Sequence, residues 1–254
     1  MIVTKPVPTT DSRGAIIGYD NLLTASTTSD AEKALQPNTY ERWRPSGGAV
    51  TVKFQMSAAT EIDFIAIAAH NLSGQSFVLQ TAETIGGAVT DVEAFSPSDN
   101  SALMATFEAR TVQEVIFTAT LSGSGHEIGV IYAGMKLQME RNIYGGHSPL
   151  SLSQKTEYQS TKSESGQFLG RSIIRKGLAG SFSWQLLDPD WYRENFQPFV
   201  EAARTKPFFI NWRPDLYSDE VAFCHTTGDI APQNQGGGHN KMSVSINVKA
   251  HADV

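Results

Sequence analysis

The segment Gly123-Ser124-Gly125-His126 holds a hydroxyl nucleophile and an imidazole base within four residues. Acyl transfer from a nucleophile elbow needs G-x-S-x-G, which sets the serine on a sharp strand-to-helix turn, and that spacing is absent. Ser124 therefore reads as part of a surface turn. The six histidines, at 70, 126, 147, 225, 239 and 251, form neither H-x3-H nor H-E-x-x-H. With one cysteine, Cys224, they offer no structural zinc set. No loop carries the D-x-D-x-D-G order of a calcium site, and no glycine-rich phosphate loop occurs. Paired carboxylates of the glycosidase kind form only in a fold, so spacing does not test them. Asp188 and Asp190 are better placed as charges at a helix N-terminus, where negative charge is favoured. The sequence thus predicts no enzyme, no metal and no cofactor. Trp43 and Tyr144 are the candidates for stacking on a sugar ring; Tyr40 and Trp43 equally fit a core or its rim.

The elements around these residues read mainly as short strands. Residues 207–224, P-F-F-I-N-W-R-P-D-L-Y-S-D-E-V-A-F-C, place two runs rich in aromatic and β-branched residues on either side of a polar turn. In the first half, Val50, Val52 and Phe54 alternate with Thr51 and Lys53, as on a half-buried strand. The run 62–69, I-D-F-I-A-I-A-A, fits a strand buried on both faces, with His70-Asn71 as a turn after it. Further strands are expected at 77–80, 104–109, 112–119 and 127–139, separated by Gly and Ser turns, which is the pattern of an antiparallel sandwich or jelly roll. In the second half, 181–187 (S-F-S-W-Q-L-L) alternates, with Phe182, Trp184 and Leu186 on one face. Asp188 then caps a helix that has Pro189 in its first turn and Tyr192, Phe196, Phe199, Val200 and Ala203 on one face. Pro198 falls inside that helix and should kink or divide it. Met242, Val244, Ile246 and Val248 alternate with polar residues in the clearest one-sided strand. The order strand, helix, strand, strand, loop, strand gives a small α+β domain, a sheet with one helix on it.

Charge separates the same two halves. Residues 1–140 carry 8 Lys+Arg against 15 Asp+Glu, and residues 141–254 carry 12 against 11. The expected division is a β-sandwich domain over 1–140 and an α+β domain over 141–254. A net charge of −6 disfavours a nucleic-acid partner, whose phosphates need a basic surface. No run reaches the length of a membrane span and no signal peptide precedes the fold, so a soluble protein without membrane insertion is expected. Between 141 and 176 apolar content drops and six basic residues face two acidic ones. That stretch reads either as a solvated linker or as an arm that orders on a neighbouring subunit.

P-F-F-I-N-W-R-P at 207–214, E-V-A-F-C at 220–224 and M-S-V-S-I-N-V at 242–248 resemble the C-terminal half of tail-tip, distal-tail-like proteins of long-tailed bacteriophages. In the first half, I-D-F-I-A-I-A-A-H-N-L at 62–72 is similar to the core strand of galactose-binding-like jelly rolls attached to phage tail proteins. The resemblance implies a tail-tube-like second domain and a structural subunit of a tail tip or baseplate, made in the host cytoplasm and residing in the virion. Its partners would be copies of itself, in a hexameric or trimeric ring, and the neighbouring tail-tube and tail-tip proteins. The ring would form through sheet edges, which need no particular side chain, and through an arm placed at 151–176. Tyr158, Arg171, Arg175 and Lys176 are the arm residues expected at that contact, the cations facing an acidic neighbour. The alternative from another class is a carbohydrate-binding module that recognises host-surface glycans.

Overall fold

The structure, a computed structural model, describes residues 14–236 and 240–251. The sequence also suggests a turn at Asp11-Ser12-Arg13-Gly14 and a flexible run at Gly236-Gly237-Gly238; Asp11, Ser12, Arg13, Gly237 and Gly238 lie outside those residues. The chain is mainly β, an antiparallel sandwich followed by a sheet with one broken helix. Its strands are β1 (Ile16–Gly18), β2 (Leu23–Ser26), β3 (Gly48–His70), β4 (Phe77–Ala82), β5 (Val89–Phe95), β6 (Leu103–Leu121), β7 (Ile128–Gly134) and β8 (Leu137–Gln138). They continue as β9 (Gln154–Lys162), β10 (Phe168–Leu187), β11 (Phe208–Asn211), β12 (Val221–Thr226), β13 (Pro232–Asn234) and β14 (Met242–Ala250).

Strands β3 and β6 pair along most of their lengths, with register breaks at Gln55/Thr60 and Ile62/Phe64. The first half of β3 is flanked by β2 and the second half by β7. Side chains from both halves meet in one core: Val52, Phe54, Ile65, Ile67, Phe117 and Ile131 belong to a single buried cluster. The long ladder therefore folds over at its bulges, where an extra residue adds bend and twist, and closes a sandwich. This corrects the expectation of separate strands at 50–54 and 62–69, and at 104–109 and 112–119. Ser57-Ala58-Ala59-Thr60 looks like a loop in sequence because it occupies the corner. Strand β5 was not expected either, since its residues are mostly exposed.

The second sheet runs β8-β1-β11-β12-β14-β10-β9, with β13 beside β14. Its inner strands alternate, and Val244, Ile246 and Val248 meet Phe182 and Trp184 in a second core. The helix covers that face as three pieces: a short α1 (Pro189–Trp191), a π turn over Tyr192–Phe196, and α2 (Gln197–Ala203). Asp188 caps it, accepting from the N–H groups of Asp190 and Trp191. Pro198, which has no N–H to give, opens α2, so the expected division is seen. Leu186 departs from its expected face. A bulge between Trp184 and Leu187 turns it outward with φ 61°, and Leu187 takes the core position.

A third core joins the two halves, with Phe64, Ala66, Val130 and Tyr132 of the sandwich against Ile16, Phe209, Val221 and Phe223 of the second sheet. The Phe209 and Phe223 rings lie 4.8 Å apart, and Tyr132 meets Phe209 edge-on at 5.4 Å. This is why 62–69 is apolar on both sides: Ile62, Ile65 and Ile67 face the sandwich core and Phe64, Ala66 and Ala68 face the second sheet. Gly18 on β1 lies flat against the Phe64 ring, where an added Cβ would sit 2.5 Å from a ring carbon. Strands β1 and β8 belong to the second sheet although they precede residue 141, so the chain crosses between halves before that point. Asn21 pins the crossing to β7, donating to the Ile131 carbonyl and accepting from the Ala133 N–H.

Candidate functional site

Two features stand out on the surface of this stack. One is a hairpin made by β9 and β10. Strand β10 pairs with β14 only from Leu178 onward; from Phe168 to Gly177 its partner is β9 alone. At the ordinary rise of a strand that outer part reaches roughly 30 Å beyond the sheet. Its turn is closed by Ser163 and Gln167, with the N–H of Ser163 donating to the Gln167 carbonyl and Gly166 at φ 82°. Bulges at Phe168/Gly170 and Ile173/Arg175 reset the alternation of side chains. Phe168, which strict alternation would set on the face opposite Arg171 and Ile173, is brought by the first of these bulges onto their face, with Tyr158. The Arg171 guanidinium stacks on the Tyr158 ring at 3.7 Å. Phe168, Leu169, Ile173 and Ile174 are all more than half exposed, Phe168 to 65%. Two strands alone are marginal in water, and so dense an apolar surface on them is unusual for a free monomer.

The second feature is a cleft of about 640 Å³ between the base of the hairpin and residues 37–40 of the sandwich. Tyr40 stands at its rim, 93% exposed. Its loop is fixed from below: the Asn38 side chain accepts from the N–H groups of Tyr40 and Glu41, and Arg42 and Arg44 both bind Glu127. Lys155, Lys176 and Lys249 line the cleft, with His225 and one carboxylate, Glu157. None of the three lysines is ion-paired with another described residue. A smaller cleft of about 370 Å³ lies alongside and shares Lys176, Gly177 and Leu178.

The residues expected at a site fall as follows. Tyr158 and Arg171 are on one face of the hairpin, and Lys176 is at its base in the cleft. Arg175 is placed opposite Glu157 in the ladder. Trp43 does not qualify as a glycan contact: it is 3% exposed, packed edge-on against Phe54 and Phe117, and bridged by its backbone to Ile128. Tyr144 is exposed, but it is tied through its N–H to the Ser183 carbonyl of the second sheet, on the other half of the molecule from Trp43. Tyr40, read from the sequence together with Trp43 as a core or rim residue, is the one of the two that stays exposed. The signal was its company, Pro37-Asn38-Thr39, turn formers that hold a side chain out of a core.

Other chemistry-bearing groups are accounted for structurally. Gly123 and Gly125 adopt positive φ in a turn, and His126 is buried with Nε2 on the Ser122 carbonyl, away from any nucleophile role. Burial pushes the Cys224 thiol well above its ordinary pKa, which makes it inert. Among the described residues no three His, Cys, Asp or Glu side chains form a group able to hold a metal. No described helix is long and apolar enough to cross a membrane.

The chain matches no protein-family model and no curated protein. Among solved structures it is similar to chitosan-binding module 1 of a chitosanase/glucanase from Paenibacillus sp. IK-5, with 16% identity, 46% of this chain and 97% of that one covered, and a TM-score of 0.40. A CBM32 module from Clostridium perfringens, in complex with GalNAc-β-1,3-galactose, matches at 14% identity over 43% of this chain and 92% of that one, TM-score 0.37. A truncated AlyQ with CBM32 and alginate lyase domains matches at 16% over 68% and 49%, TM-score 0.40. By their titles two of these are binding modules, and the third joins one to a catalytic domain. At such identities and scores the likeness transfers neither ligand nor site residue to this chain. The tail-tip expectation gains nothing from them.

Proposed function

We propose that the protein is a non-catalytic assembly subunit whose β9–β10 hairpin docks on a neighbouring copy, as the resemblance to tail-tip proteins implies. The observation that carries this reading is the hairpin itself. A ribbon of roughly 30 Å with Tyr158, Phe168, Leu169, Ile173 and Ile174 in water has no hydrophobic cover among the described residues. A second copy fits by charge as well. Residues 154–178 carry five basic and two acidic residues, while residues 1–140 carry 8 basic and 15 acidic ones. Contact of one surface with a different surface on the next copy is heterologous, and it closes into a ring where the rotation between copies closes. In this reading the ring, trimeric or hexameric, sits in a phage tail tip, made in the host cytoplasm and bound to tail-tube and tail-tip neighbours.

Light scattering over a concentration series tests it. Wild type should form a closed oligomer, and Phe168→Ser with Ile173→Ser should return it to monomer without unfolding. A monomer at every concentration whose hairpin amides exchange freely would overturn the reading.

A different observation favours a second reading, glycan binding. Tyr40 offers an open ring face at the mouth of a cleft large enough for a few sugar units.

A further inference from the structure

We infer that the cleft under the hairpin selects carboxylate-bearing oligosaccharides over neutral ones. This rests on the glycan-binding reading and adds the substrate class to it.

The inference starts from a local reversal of charge. The chain as a whole has 20 basic and 26 acidic residues, so an arbitrary patch of surface should lean acidic. The cleft leans the other way. Lys155 comes from β9, Lys176 from β10 and Lys249 from β14, three strands that lie side by side, with His225 from β12 directly across from Lys249. Only Glu157 among the lining residues is acidic. In the ladders each lysine faces an uncharged partner, Lys155 opposite Gly177, Lys176 opposite Thr156 and Lys249 opposite Ala179, and no described carboxylate pairs with these lysines. A bound anion would supply the counter-charge that the described residues do not.

The shape of the site narrows the anion. A small inorganic ion would leave most of the cleft volume empty and would not use Tyr40. The tyrosine ring is held out by the Asn38 turn, away from the lysines' own strands, so a ligand spans from an apolar ring face to the ammonium groups that line the cleft. A sugar chain with carboxylates on successive rings presents both surfaces, a C–H face for Tyr40 and charges for the lysines. A nucleic acid also offers stacking and charge. The acidic balance of the chain opposes the long polyanion more than a short oligomer.

The test uses the full chain, oligogalacturonates and oligomannuronates of about four units, and the fully methyl-esterified form of each, which differs only in charge. Calorimetric titration at low salt should give on the order of tenfold tighter binding of the acid forms, a preference that fades as salt screens the lysines. Lys155→Gln, Lys176→Gln and Lys249→Gln together alter only exposed side chains and should make acid and ester bind alike. Tyr40→Ala should weaken both. Esters bound as tightly as acids by wild type would overturn the charge selection and leave the glycan reading standing. No binding of any of the four would overturn both. Acid binding untouched by the triple substitution, or a single-stranded oligonucleotide of equal charge bound more tightly, would also overturn the inference.

Discussion

The ladders β3–β6 and β9–β10 begin as the same device and end in opposite situations. Each is a long antiparallel pair broken by two bulges. In β3–β6 the bulges fold the ladder over itself, so that Phe54, Phe117 and Ile131 meet at its centre and a second sheet seals the outer face of β3. In β9–β10 the bulge at Phe168/Gly170 brings Phe168 onto the face of Tyr158, Arg171 and Ile173, and no described residue closes over that face. The backbone geometry is comparable; what differs is whether a covering surface is present among the described residues. A fully buried aromatic side chain contributes roughly 1.5–3 kcal/mol, and Phe168, 65% exposed, collects little of it from those residues.

Stability measurements can break this comparison, and the largest effect belongs to the closed ladder. Phe117→Ala removes a ring stacked on Phe77 at 5.0 Å and touching Trp43 at 5.4 Å. It should cost about 3–5 kcal/mol in denaturant unfolding. A cost near zero would mean that the sandwich core is not what the ladder closes on.

Glu114 gives a smaller and pH-dependent effect. It lies on β6, 1% exposed, and receives Lys53, Gln55 and the Gly86 N–H. Burial pushes its carboxyl up, but these three donors outweigh burial and hold it below the ordinary 4.5. Since the folded value is the lower one, the stabilisation is complete above pH 4.5 and is lost as pH falls through the folded value. Glu114→Gln should cost about 1–3 kcal/mol at neutral pH, and its stability should vary less than wild type's below pH 4.5. An unchanged acid limb would assign that loss to other carboxylates.

The smallest effect on stability is expected in the hairpin. Ile174→Ser should change the unfolding free energy of the dissociated chain by no more than about 0.5 kcal/mol. A loss comparable to that of Phe117→Ala would show that the hairpin is covered by its own chain and would remove the contrast.

Much of this was legible in the sequence, and the failures share a cause. The doubly buried run 62–69, the cap at Asp188, the break at Pro198 and the alternation of 242–248 follow from local pattern, and local pattern survives folding. The exposure of 151–176 was legible too, from its Ser, Lys, Gln and Gly, although its apolar face was not, because a bulge completes it. Leu186 was misplaced for the same reason, one inserted residue exchanging it with Leu187. Trp43 was offered as a sugar contact because its neighbours are polar; its burial depends on a bridge to Ile128, 85 residues on. Tyr40, three residues earlier, has nearly the same surroundings in sequence and the opposite fate. Pairing across long separations leaves no local mark, so neither the cleft's lysines nor the place of β1 in the second sheet could be read in advance.

The place of β1 sets an order of events on the ribosome. The sandwich strands from β2 to β7 emerge together and can pair as they appear, but Ile16 must find Asn211. At about 5–20 residues per second, the roughly 190 residues between them take on the order of 10–40 s to synthesise. In the later part of that interval, once β7 has been made, the Phe64 face of the nascent sandwich is without the aromatic pair, Phe209 and Phe223, that will cover it. Translation speed, and whatever chaperone attends the emerging chain, therefore governs how long that face stays open.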